Sequence, residues 1–135
     1  MATVADAYLK SPKIHQPDMS AGAARAFFTD DHVHALLLVR DGVLVAVVER
    51  DDLAGVPDSA RARAVGSLAG RVIGPDEDLE ATRLVMAAQH RRRLAVVDQR
   101  GLLLGLLCLK RHGRGFCSSE DVAAREAERA SNRAG

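Results

Sequence analysis

The chain has 135 residues, 47% of them hydrophobic, enough for one compact domain with its own core. Net charge is +1, from 19 basic and 18 acidic residues, so a broad electrostatic grip on nucleic acid or an anionic membrane is not expected. Aromatics make up 3% with no Trp, which leaves no base-stacking platform.

In chain order, residues 4–9 read as a short helical turn and 13–15 as a short strand. Pro17-Asp18 marks a turn into a helix over 19–31, capped by Asp18 or Ser20, with Ala23, Ala24, Phe27 and Phe28 on one face. Two apolar runs follow, 36–39 and 43–48, joined by Asp41-Gly42, a strong hairpin signal. Residues 54–64 hold Gly55, Pro57, Asp58 and Ser59 and read as a linker. The pattern then returns. Residues 65–69 read as a helical turn and 71–73 as a short strand. A helix is expected over 77–90, capped by Glu77 or Asp78, with Leu79, Thr82, Val85 and Met86 on one face. Apolar runs at 94–97 and 102–107 close the second unit. A basic loop, 110–115, precedes a final helix that Ser118 or Ser119 would cap, ending near 129.

The correspondence is one of register. Pro17-Asp18 recurs as Pro75-Asp76, His32 as His90 and Leu36 as Leu94, each 58 positions on. Gly42 and Leu44 recur 59 positions on, as Gly101 and Leu103, so the second hairpin turn carries one extra residue. All four strands are apolar at nearly every position, the pattern of strands covered on both faces. No stretch approaches the ~20 apolar residues of a bilayer span. Residues 1–20 carry Asp6, Lys10, Lys13 and Asp18 and lack the apolar core of a signal peptide. A cytoplasmic location is therefore expected. Cys108 and Cys117 form no CxxC pair and no framework, and both are read as reduced.

This order of parts resembles a tandem CBS-domain pair, the cystathionine β-synthase domain or Bateman module, over about residues 3–112. The second copy carries it on Pro75-Asp76-Glu77-Asp78-Leu79, Met86, Leu94-Ala95-Val96-Val97-Asp98, Gly101 and Gly105. The first carries it on Pro17-Asp18, Ala24, residues 36–39, Gly42 and Arg50-Asp51-Asp52-Leu53. The implied fold is α/β: two β-α-β-β-α repeats with pseudo-twofold symmetry, plus a C-terminal helix. The expected organisation is a first repeat over 1–62, a second over 63–117, and a helix and tail over 118–135.

The resemblance implies ligand sites in clefts between the repeats, taking AMP, ADP, ATP, S-adenosylmethionine or NAD as a regulatory ligand. It also implies a homodimer that modulates a partner protein, with any target on a separate chain. Family strands end in Gly-φ-φ-Thr-x-x-Asp, whose Asp accepts from the ribose hydroxyls. Asp52 stands there in the first copy, although it can equally cap the following helical turn. Glu49 replaces the Thr, and like-charge repulsion should disfavour a polyphosphate. In the second copy Arg111 replaces the Asp and has no acceptor. His34, Arg92 and Arg93 match phosphate-facing positions, although residues 90–93 also suit a helix C-terminus. Ile14 and His15 match the adenine-lining segment, and Ile14 is also readable as core. His32-x-His34 has no completing carboxylate or thiol, so no metal site is expected. There is no nucleophile elbow, P-loop or dinucleotide fingerprint, so an enzyme is not expected. Two readings remain open: an adenosyl-sensing regulatory module with one ligand site per chain, or a ligand-free dimerisation and protein-interaction module with degenerate sites.

Overall fold

The computed structural model describes residues 1–118. The expected C-terminal helix and tail, save for Ser118, lie outside the described residues. Helices are α1 (Ala21–Phe27), α2 (Ala62–Val65) and α3 (Leu79–Ala88); strands are β1 (Ala35–Arg40), β2 (Val43–Glu49), β3 (Val72–Ile73), β4 (Arg93–Val97) and β5 (Leu103–Cys108). Short 3-10 turns cover Val4–Asp6 and Arg50–Leu53. The fold is the expected α/β pair of repeats.

The repeat is kept to the level of individual pairings. β1 and β2 form an antiparallel hairpin with a register shift between Leu38 and Val39; β4 and β5 do the same, with the shift between Val96 and Val97. His15 pairs in parallel with Leu38, and Ile73 with Val96, 58 positions on. The Asp41-Gly42 turn takes positive φ at both residues, the conformation that matches strand twist. The longer second turn is held by the Asp98 carboxylate, which accepts from the N–H groups of Arg100 and Leu102 at 2.8 and 2.9 Å.

Ser20 and Asp78 are the caps, accepting from Ala23 N and Ala81 N. Two helix faces differ from the periodicity. In α1 the buried residues are Ala21 and Ala24, with Phe28 beyond, and Ala23 is exposed. In α3 the buried stripe runs through Thr82 and Met86, while Val85 is 53% exposed. Val85 lies about 100° around the helix from Met86, so packing along the Met86 line turns it outward. The second helical turn also comes earlier than expected, at Ala62–Val65 instead of 65–69.

Alternation within the apolar strands sorts their two faces. Leu36, Leu38, Ala46 and Val48 pack with Ala21, Ala24 and Phe28. Leu94, Val96 and Leu107 pack with Met86 and Val4. Leu37, Val39, Leu44, Val47 and Ala95 form a third core between the hairpins. Both faces of each hairpin are thus covered.

The copies also exchange backbone. Leu9 and Leu106 bond each other through both N–H groups, at 2.8 and 3.0 Å; Ser67 and Val47 do likewise, at 3.0 and 3.1 Å. Val4 N donates to Glu77 O, and Leu79 N donates to Ala2 O. The leading segment of the first copy therefore closes on the hairpin and helix of the second, and that of the second on the hairpin of the first.

Cys108 and Cys117 form a disulfide, which corrects the expectation of two reduced thiols. The chain turns back after β5, with Lys110 N bonded to Gly115 O, Leu109 bridged to Phe116, and Cys117 N bonded to Cys108 O. That reversal brings two cysteines nine residues apart to a Cα separation of 5.3 Å, within the range a bridge needs.

This packing makes two stability differences measurable. A Cβ on Gly105 would overlap Leu9 O and the Tyr8 ring, whereas one on Gly74 meets nothing within 4 Å. Gly105→Ala should lower unfolding stability by about 1–3 kcal/mol, and Gly74→Ala by less than about 0.5 kcal/mol, in urea titrations. Cys117→Ser should cost about 2–3 kcal/mol, because the bridge closes a loop in the unfolded chain. Thiol titration of denatured wild type purified without reductant should find no free thiol.

Candidate functional site

The C-terminal end of β2 carries two carboxylates into the seam between the copies. Glu49 closes the strand and Asp52 sits three residues on, in the 3-10 turn. The Asp52 carboxylate accepts from Glu49 N at 2.7 Å, so it braces, from within, the turn that contains it and does not cap a following helix, whose N-cap is Arg61. It also takes a bidentate pair from Arg71 of the second copy, at 2.5 Å from Nη1 and 2.9 Å from Nη2. Arg71 Nη1 further donates to Val47 O at 2.7 Å, and its Nε lies 3.4 Å from Glu49 Oε1. Arg91 Nη1 pairs with the other Glu49 oxygen. The four side chains keep between 14% and 26% of their exposure.

Local folding positions the two arginines. Arg71 precedes β3, and its carbonyl accepts from Ala95 N of β4. Arg91 follows a left-handed turn at His90 (φ 54°) that ends α3, with His90 N bonded to Ala87 O and Arg91 N to Met86 O. Burial works against ionisation of Asp52. The hydrogen bonds from Arg71 and Glu49 N, with the charges of Arg71 and Arg91, outweigh it and hold the carboxyl below its ordinary value. The hydrogen bond to Asp52 raises Arg71 in turn.

The other sequence candidates make contacts of their own. His34 is half-buried beside Arg93, Arg92, Arg50 and His32; burial first, then those cations, push its pKa down to about 4. Arg92 Nε donates to Leu109 O at 2.7 Å, and Arg93 Nη1 to Arg92 O at 3.1 Å. Arg93 is 9% exposed. His15 packs against Phe27, ring centroids 4.4 Å apart; burial and Lys13 lower its pKa. Ile14 is 50% exposed, so it is not a core residue. Arg111 is exposed on the loop after β5. The residues that meet Asp52 and Glu49, Arg71 and Arg91, were absent from the sequence candidates. Arg71 follows Gly70 and shows no motif, and both pair across the copies. Among the described residues, no three His, Cys, Asp or Glu side chains converge as a metal-binding group. No helix there is long and apolar enough to cross a membrane.

The depressed His34 pKa sets a pH dependence. The unfolded chain takes the proton near 6.5 and the folded chain near 4, so the His34 contribution to stability falls as pH drops through that window. His34→Gln should therefore lose less stability than wild type between pH 6.5 and 4. Urea titrations across the window measure the difference, and a constant gap between the two proteins contradicts the assignment.

No protein-family model and no curated protein matches the chain. Solved structures do. The CBS domains of a transcriptional regulator from Streptococcus pneumoniae match at 18% identity, over 80% of this chain and 93% of that one, with a TM-score of 0.66. CBSX2 in complex with AMP matches at 22% identity, over 96% and 99%, with a TM-score of 0.65. The CBS domain pair of MJ0100, in complex with 5′-methylthioadenosine and S-adenosyl-L-methionine, matches at 19% identity, over 96% and 98%, with a TM-score of 0.60. The chain has the fold of a tandem CBS-domain pair.

Proposed function

We propose that this chain is a non-catalytic regulatory module that senses an adenosyl ligand at the Asp52 cleft and modulates a partner protein. The observation that carries the reading is the seam itself. Asp52 and Glu49 of the first copy face Arg71 and Arg91 of the second, so a ligand there touches both copies. Such a ligand favours one relative setting of the repeats, and an equilibrium between settings then responds to its concentration. Structures of the same fold hold AMP, or 5′-methylthioadenosine and S-adenosylmethionine, which supports the ligand class. His34, Arg92 and Arg93 belong to the proposal as a second cationic group, and Ile14 and His15 as the apolar side. A homodimer and a cytoplasmic location are proposed with it. A structural disulfide is uncommon in that compartment, so the thiol titration bears on the location as well.

A specific observation favours the ligand-free interaction module as the second reading. Arg71 already occupies both oxygens of Asp52. In the second copy the strand ends in a disulfide-closed reversal, with Arg111 where the acidic residue would stand.

Calorimetry with AMP, ADP, ATP, S-adenosylmethionine and NAD separates the two. Sensing predicts one site per chain for at least one compound, with affinity reduced tenfold or more by Asp52→Asn, whose amide is a poorer acceptor for a diol. Silence of the whole panel at millimolar ligand overturns sensing in favour of the interaction module.

A further inference from the structure

We propose that Arg71 and Arg91 form a latch that makes the Asp52 cleft select adenosyl ligands bearing a single phosphate over neutral ones. The inference rests on the sensing reading above. Asp52 offers about four lone-pair sites on its two oxygens, and three are taken, two by the Arg71 fork and one by Glu49 N. A ribose diol brings two hydroxyl donors, so seating both on Asp52 displaces at least one arm of that fork. Asp52 then exchanges an ion pair with a guanidinium for hydrogen bonds from neutral hydroxyls, and a guanidinium displaced outright also gives up its bond to Val47 O. A neutral nucleoside brings nothing that the freed guanidinium can bind.

A phosphate does. Guanidinium binds phosphate through two parallel N–H bonds, as it binds carboxylate, so Arg71 can move from one anion to another without losing a charged partner. Arg91 adds a second donor. Its Nε is buried and has no hydrogen-bond partner among the described residues, while its Nη1 holds Glu49. A buried donor without a partner gains more from a new acceptor than a satisfied one does. The four side chains of the latch sum to zero charge: two arginines, one aspartate, one glutamate. Glu49 is therefore not a bare anion, which softens the repulsion expected of it. Each further phosphate adds negative charge that two arginines, already shared with Glu49, cannot match. One phosphate is favoured over three.

The test is calorimetry on the full chain with adenosine, 5′-methylthioadenosine, AMP and ATP. Wild type should bind AMP at least tenfold more tightly than either neutral compound, and more tightly than ATP. Arg71→Gln should bring adenosine and AMP within about threefold, by strengthening the first and weakening the second. Arg71→Lys, a point charge without the fork, should fall between. Circular dichroism melts establish that each variant is folded. If Arg71→Gln does not fold, Arg91→Gln replaces it, and is expected to weaken AMP while leaving adenosine unchanged. Adenosine and AMP binding wild type within twofold, or a folded Arg71→Gln with an unaltered ratio, overturns the latch and leaves sensing standing. Silence of all four compounds on wild type and every folded variant overturns both.

Discussion

A two-strand hairpin has two bare edges, and each copy here has the means to cover only one of them. His15 pairs beside β1 and β3 beside β4, which leaves the outer edges of β2 and β5 open. An open edge is an unstable place to end a sheet. The chain covers each edge with a segment from the other copy: Ser67 on Val47, and Leu9 on Leu106. The third core, between the hairpins, depends on that exchange, because the same crossings fix how the two inner faces meet. Glycine stands at both crossings. A Cβ on Gly66 would lie 2.9 Å from Val48 Cγ2, and one on Gly105 would strike Leu9 O. Backbones approach closely there only because a side chain is missing.

The seam also explains the ion network. Glu49 and Asp52 leave the end of β2 just where the second copy begins β3 and ends α3. The exchange fixes those ends against each other, so carboxylates and guanidinium groups meet across the copies. The repeats then diverge. The matching end of the second copy is Cys108, whose strand runs into a reversal closed by Cys117 and has no acidic turn. The asymmetry between Asp52 and Arg111 is thus a difference in backbone path as well as in charge.

Features that live within a few residues were legible in the sequence. The hairpins, the Asp41-Gly42 turn and the extra residue after Asp98 follow from local spacing and turn chemistry, and so does each cap to within two candidates, between which the structure selects Ser20 and Asp78. Two-sided strand burial was legible too, because a strand with one face in water would alternate apolar and polar residues, and these runs do not. Arg71 and Arg91 were not. Their partners lie 19 and 42 residues away, and each joins the network through a separate element. Nor was the disulfide, since the spacing of Cys108 and Cys117 matches no motif and acquires meaning only once residues 110–115 reverse the chain. Periodicity placed Val85 on the buried face of α3 because it weighs apolar residues alike. Packing chose the narrower line through Thr82 and Met86.

Four charged side chains in a seam this enclosed are a poor way to gain stability. Removing them from water costs roughly what their attraction returns, and an apolar seam of similar volume often does as well. The adjoining core already supplies such apolar contact through Leu37, Val39, Val47 and Ala95. What the network adds is chemical character. Apolar side chains would leave the seam indifferent to charge, whereas these four fix a pattern of paired charges across the two copies. Arg71 cannot leave Asp52 without loosening a contact that spans both copies.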